Sequence, residues 1–117
     1  MAFERFTRKR ARTDAPKASI WSRGQIGFNY AATDEYKLDK FKYAVLYYDR
    51  ETNRIGIEFT NDRNAEGTSK VIHRKGAGVS ISALAFLRHY KINFSATTTH
   101  NLIHDDKSGF YVIDLTK

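Results

Sequence analysis

Gly24-Gln-Ile-Gly-Phe-Asn29 and Ala77-Gly-Val-Ser-Ile-Ser82 lie 53 positions apart and follow one pattern. In each, two apolar residues alternate with small or polar ones: Ile26 and Phe28 in the first, Val79 and Ile81 in the second. That is the period of a half-buried strand. A polar residue, Asn29 or Ser82, then stands where a helix cap is wanted. Downstream of Asn29, Ala32, Tyr36 and Leu38 fall near one face of a brief helix starting at Tyr30. Downstream of Ser82, Leu84, Leu87 and Tyr90 form an apolar stripe that Ala83 and Phe86 widen. One extra residue in the second helical segment brings Leu38 opposite Ile92.

Each helix is followed by a hairpin pattern. Phe41 to Tyr48 is dense in aromatic and β-branched residues, Asp49 to Asn53 is a polar connection, and Ile55 to Phe59 alternates. In the second half, Ser95 to Ile103 is extended by propensity, Asp105-Asp-Lys-Ser-Gly109 is a turn, and Phe110 to Leu115 is a strand. Residues 60 to 70 form a polar break, after which Val71 to His73 make a short strand. Residues 23–59 and 77–115 therefore read as two copies of a strand, helix, hairpin unit. A unit of about 40 residues buries its own apolar face poorly, so two units are expected to share one core. The expected fold is mostly β with two short helices, a pseudo-twofold β-barrel with Ile26, Phe28, Val79 and Ile81 facing inward. The competing arrangement is an α+β antiparallel sheet with both helices on one face.

The chain has 117 residues, 41% of them apolar, which suits one core better than two. Residues 1–19 read as a basic flexible arm and 20–117 as a single domain. Seven cations (Arg5, Arg8, Lys9, Arg10, Arg12, Lys17 and Arg23) stand against Glu4 and Asp14 up to position 23. Thirteen cations stand against eleven acids over the rest, so the arm supplies most of the net charge of +7. Such an arm is drawn to polyanions by counterion release. The absence of cysteine excludes disulfides and cysteine-based zinc sites. No apolar run is long enough to span a bilayer, and no apolar run follows the charged start, so neither a transmembrane segment nor an export signal is expected. A cytoplasmic location is the expectation.

Catalytic motifs are missing: there is no phosphate-binding glycine loop carrying Lys and Ser or Thr, no HExxH and no nucleophile elbow. The expectation is a protein that is not an enzyme and needs neither cofactor nor metal. His100 and His104, with Asp105 and Asp106, have a spacing that permits metal ligation, but they read as polar histidines leading into a solvated turn. Gly76-Ala-Gly78 after Arg74-Lys75 reads as a turn whose amides and cations also suit phosphate. Tyr43, Tyr47, Tyr48, Tyr90 and Tyr111 read as packing residues rather than base-stacking ones.

The order strand, polar cap, short amphipathic helix, hairpin is carried by Gly24 to Tyr30 with Leu38 and Val45 to Asp49, and by Gly78 to Ser82 with Phe86 to Ile92. It resembles the swapped-hairpin barrels of the AbrB and SpoVT class of transition-state regulators and antitoxins. In that family two short chains interlock into one barrel that usually binds DNA and often regulates transcription. The resemblance implies that here one chain supplies both halves. The family's proline directly after the first strand is replaced by Tyr30 and Ala83. The family's DNA contacts come mainly from arginines around the preceding hairpin, and Arg23 and the Arg74-Lys75 pair match these by neighbourhood. The expected function is nucleic-acid binding, to double-stranded DNA, with a transcription-regulatory role. The expected contacts are Arg5, Arg8, Lys9, Arg10, Arg12, Arg23, Arg74 and Lys75. The alternative is a non-enzymatic interaction or assembly protein that pairs with its own copies or with an acidic protein partner, with Trp21 as an anchor.

Overall fold

The computed structural model describes residue 3 and residues 15–64, 66–74 and 78–116. The elements run β1 Lys17–Ile20, β2 Gln25–Phe28, α1 Tyr30–Glu35, a 3-10 turn Leu38–Lys40, β3 Tyr43–Asp49 and β4 Arg54–Thr60. They continue with β5 Thr68–His73, β6 Val79–Ser82, α2 Leu84–His89, β7 Thr98–His104 and β8 Tyr111–Asp114. The eight strands close into a barrel in the order β1-β2-β6-β5-β3-β4-β8-β7, each pair antiparallel. Closure gives every strand a paired neighbour on both sides and removes the competing open sheet with helices on one face.

Exchanging β1 with β5, β2 with β6, β3 with β7 and β4 with β8 reproduces the same cyclic order, so the barrel has the expected twofold pseudosymmetry. The register agrees residue by residue. Ala18 faces Phe28 in the first hairpin and Val71 faces Ile81 in the second, both members displaced by 53 positions. Ile26 pairs with Ile81 and Gly27 with Ser80 across β2 and β6. Gly27 and Ser80 are themselves equivalents under that displacement, so the axis passes between them. The long hairpins are matched as well, but at displacements of 58 and 54 positions: Ala44 faces Phe59 as Leu102 faces Ile113.

Each unit is larger than its apolar pattern suggested, because β1 and β5 open the two copies. The barrel begins at Lys17, ahead of the expected boundary at residue 20. Four residues carrying only Ala18 and Ile20 are too short a pattern to separate from an arm. They become a strand because β2 and β7 pair with them from both sides and bury both side chains.

Ile26, Phe28, Val79 and Ile81 point into the core together with Ile55, Ile57 and Ile113. Ala32 and Leu38 from the first unit and Leu87 and Ile92 from the second join the same buried core. Asn29 caps α1, its Oδ1 accepting from the Ala32 N–H at 2.8 Å. Ser82 does not cap α2. Its backbone pairs with Gln25 in the ladder, so the cap position moves one residue on, to Ala83, the helix starts at Leu84, and no side chain caps it. Both helices stop in the same way, at left-handed Lys37 and Lys91, each with φ of 55°. After Lys91, the Ile92 N–H bonds the Leu87 carbonyl and the Lys91 N–H bonds that of Arg88, a Schellman closure that drops Ile92 into the core.

Candidate nucleic-acid interface

Two stretches of the sequence, 15–33 and 67–104, contain no Asp or Glu. Barrel closure makes them one surface. The strands β5, β6, β2, β1 and β7 are consecutive around the barrel and carry no carboxylate, whereas β3, β4 and β8 carry Asp49, Glu58 and Asp114. On the acid-free wall, Lys17 and Lys70 are exposed and occupy equivalent positions, and Arg23 is exposed in the turn between β1 and β2. Beside the cations the wall presents Ser19, Gln25, Thr99 and Asn101, with the Ser19 and Thr99 hydroxyls 2.9 Å apart, while Ile72 and Ile103 are exposed near its two margins and Gly27 and Ser80 are buried. Hydroxyls, amides and cations are the groups that contact phosphate and sugar along a nucleic-acid backbone.

Trp21 organises the centre of this wall. Its six-membered ring lies over Gly27, so closely that a Cβ at position 27 would stand 2.3 Å from Trp21 Cζ2. The guanidinium of Arg23 and that of Arg74 each sit 4.9 Å from the indole centroid. Such cation–π contacts hold long side chains in place by about 0.5–1 kcal/mol each at exposed sites. Arg74 is anchored further: its Nε donates to the Gly78 carbonyl at 3.0 Å and a terminal nitrogen donates to the Phe28 carbonyl at 2.9 Å. Partial burial and the charge of Arg23 lower the pKa of Arg74 below the usual guanidinium value, and it stays protonated. Neither arginine forms an ion pair with a carboxylate among the described residues. Two like charges thus converge on one ring, with no carboxylate paired to either among the described residues.

Of the expected contacts, the structure thus brings Arg23 and Arg74 together, while Arg5, Arg8, Lys9, Arg10, Arg12 and Lys75 lie outside the described residues. The reading by residue type missed Lys70 and Gly27, and cast Trp21 as a partner anchor rather than as a platform for the two arginines. The signal for Trp21 was present: it stands 53 positions before Arg74.

The other candidates resolve into local structure. His100 Nε2 lies 2.9 Å from Thr98 Oγ1 and His104 Nδ1 lies 3.1 Å from Asp106 Oδ1, and no set of three metal-ligating side chains converges among the described residues. The tyrosines pack as expected of strand aromatics: Tyr47 stacks on Phe110 at 4.5 Å, Tyr48 meets Tyr90 at 5.0 Å, and Tyr111 meets Tyr36 at 4.9 Å. Burial raises the pKa of both Tyr36 and Tyr111. A groove of about 280 Å³ lies outside β4 and β8, floored by Gly56 and Val112 and rimmed by Asp49 and Asp105. Both carboxylates already accept backbone N–H groups of their own turns. No helix among the described residues is long and apolar enough to cross a membrane.

Comparison with family models, with curated proteins and with solved structures returns no match for this chain.

Proposed function

We propose that this protein binds nucleic acid, with double-stranded DNA as the ligand, through the acid-free wall of β5, β6, β2, β1 and β7, and that it serves transcriptional regulation in the cytoplasm. The observation that carries the reading is the pair Arg23 and Arg74 on Trp21, unopposed by any carboxylate on five consecutive strands. The resemblance in element order to the AbrB and SpoVT barrels supports the same ligand, and the basic residues 1–14 add long-range attraction that is blind to sequence. The protein acts by binding and performs no covalent chemistry.

The test is fluorescence anisotropy of a labelled duplex at several salt concentrations, with the full chain, with a chain starting at Ala15 and with Lys70→Ala. A cut at residue 14 leaves β1 intact, whereas a cut at residue 19 removes a barrel strand. Each lost phosphate contact is expected to lower the slope of log affinity against log salt by about 1. Absence of binding at low salt, or binding indifferent to salt, refutes the reading.

A second reading, docking on a protein partner, is favoured by Ile72 and Ile103, which are 42% and 58% exposed near the two margins of the wall. Ile103→Ser leaves duplex affinity unchanged under the first reading and weakens partner capture under the second.

A further inference from the structure

The scaffold is twofold, but the chemistry mounted on it is not. The registers Ile20 to Ile26 and His73 to Val79 give the two hairpins connections of equal length, matched at a displacement of 53. Position by position, Trp21-Ser-Arg-Gly-Gln25 stands against Arg74-Lys-Gly-Ala-Gly78, and no matched pair is identical. Arg23 answers to Gly76, Ser19 to Ile72, and Gly27 to Ser80, whereas Lys17 and Lys70 keep the symmetry. The equivalents Trp21 and Arg74 meet one another beside the axis. In a barrel of two identical units this meeting would place tryptophan on tryptophan or arginine on arginine, and the second pairing is repulsive. The attractive Trp–Arg contact exists only because the two units differ.

Resting on the DNA-binding reading above, we infer that the wall engages duplex DNA in a single orientation, one chain per site, and reads a non-palindromic sequence. A symmetric face gives equal contacts to the two halves of a duplex and so selects a palindrome. Here Arg23, whose guanidinium suits the guanine edge, belongs to the first unit alone, because the sequence of the second has no cation at the matched position. Lys17 and Lys70 sit at equivalent places and serve both halves alike as phosphate contacts. The barrel closes within one chain, so no second copy is needed to complete the site.

Selection from a pool of duplex DNA with a randomised centre, followed by sedimentation of the complex, tests this. The expected result is a non-palindromic motif bound by one chain. Rebuilding either half of the motif as a palindrome should weaken binding about tenfold, the scale of one or two mismatched base pairs. Arg23→Ala should erase preference in one half only, while Lys17→Ala and Lys70→Ala should weaken every sequence alike. Circular dichroism of the exposed Arg23→Ala variant confirms that its barrel is intact. A palindromic motif, two chains per site, or a uniform effect of Arg23→Ala overturns the inference. Binding without any enriched motif overturns it too and leaves the DNA reading standing. No binding at low salt overturns both.

Discussion

Gly27→Ala should change the sign of its effect on stability according to whether Trp21 is present. The added methyl would lie 2.3, 2.6 and 2.9 Å from Trp21 Cζ2, Cη2 and Cε2. Carbon atoms rest about 3.5–4.0 Å apart, so the indole must lift by about 1 Å or more. The obstacle is a side chain, so the ring moves and the strand stays. Lifting the ring weakens its contacts with Arg23 and Arg74, about 0.5–1 kcal/mol each, and adds strain against the wall. Against this, alanine in a strand interior is favoured over glycine by about 0.5–1 kcal/mol. The net expectation is a loss of about 1 kcal/mol in the native background. In a Trp21→Ala background only the backbone gain is left, and Gly27→Ala should stabilise by about 0.5 kcal/mol. Urea unfolding followed by circular dichroism on the four members of this cycle measures the coupling. Equal responses in the two backgrounds, within about 0.3 kcal/mol, would refute the seating of Trp21 on Gly27.

Leu87→Ala, which empties a fully buried position, should cost about 2–5 kcal/mol, while its exposed neighbour Arg88→Ala should stay within about 0.5 kcal/mol by the same unfolding assay. Asn29→Ala removes acceptors for the Ala32 and Lys17 N–H groups and a donor to the Ala15 carbonyl. It should cost about 1–2 kcal/mol and lower hydrogen-exchange protection of the Lys17 amide. The carboxyl of Asp105 is held below its ordinary value by the Ser108 hydroxyl and then by the Lys107 N–H. Its contribution is present above the unfolded value of about 3.9 and is lost as pH falls through the folded one. The melting-temperature gap between the native chain and Asp105→Asn should therefore be constant near neutrality and close in acid.

The core was legible because strand and helix periods are local. Ile26 with Phe28 and Val79 with Ile81 repeat within a few residues, and the spacing of 53 between them already states the symmetry that the ladder realises. The first strand of each unit was less legible. Lys17–Ile20 earns its place through pairing with Thr98 to Asn101, far along the chain. Ser82 misled because a capping residue and the last residue of a strand are the same residue type in the same place, and ladder pairing with Gln25 decides between them. The acid-free wall was hidden by net charge: residues 24–117 are almost neutral as a sum, and only the closure that sets β7 beside β1 and β2 beside β6 sorts the signs onto different faces. Arg23 and Arg74 were named from their turns, and the spacing of 53 makes Trp21 and Arg74 equivalents, but that spacing does not say that equivalents meet: the convergence of both arginines on one indole depends on Trp21 reaching across Gly27.

The central claim is that β5, β6, β2, β1 and β7 form the nucleic-acid face, and amide NMR of the labelled full chain during titration with a short duplex at low salt tests it most directly. The account predicts that the Trp21 indole N–H and the amides of Ser19, Gly27, Lys70 and Thr99 shift together, saturate together and return towards their free positions when salt is added. Shifts concentrated on Tyr47, Glu58 and Val112 of β3, β4 and β8, or an unchanged spectrum, would contradict it.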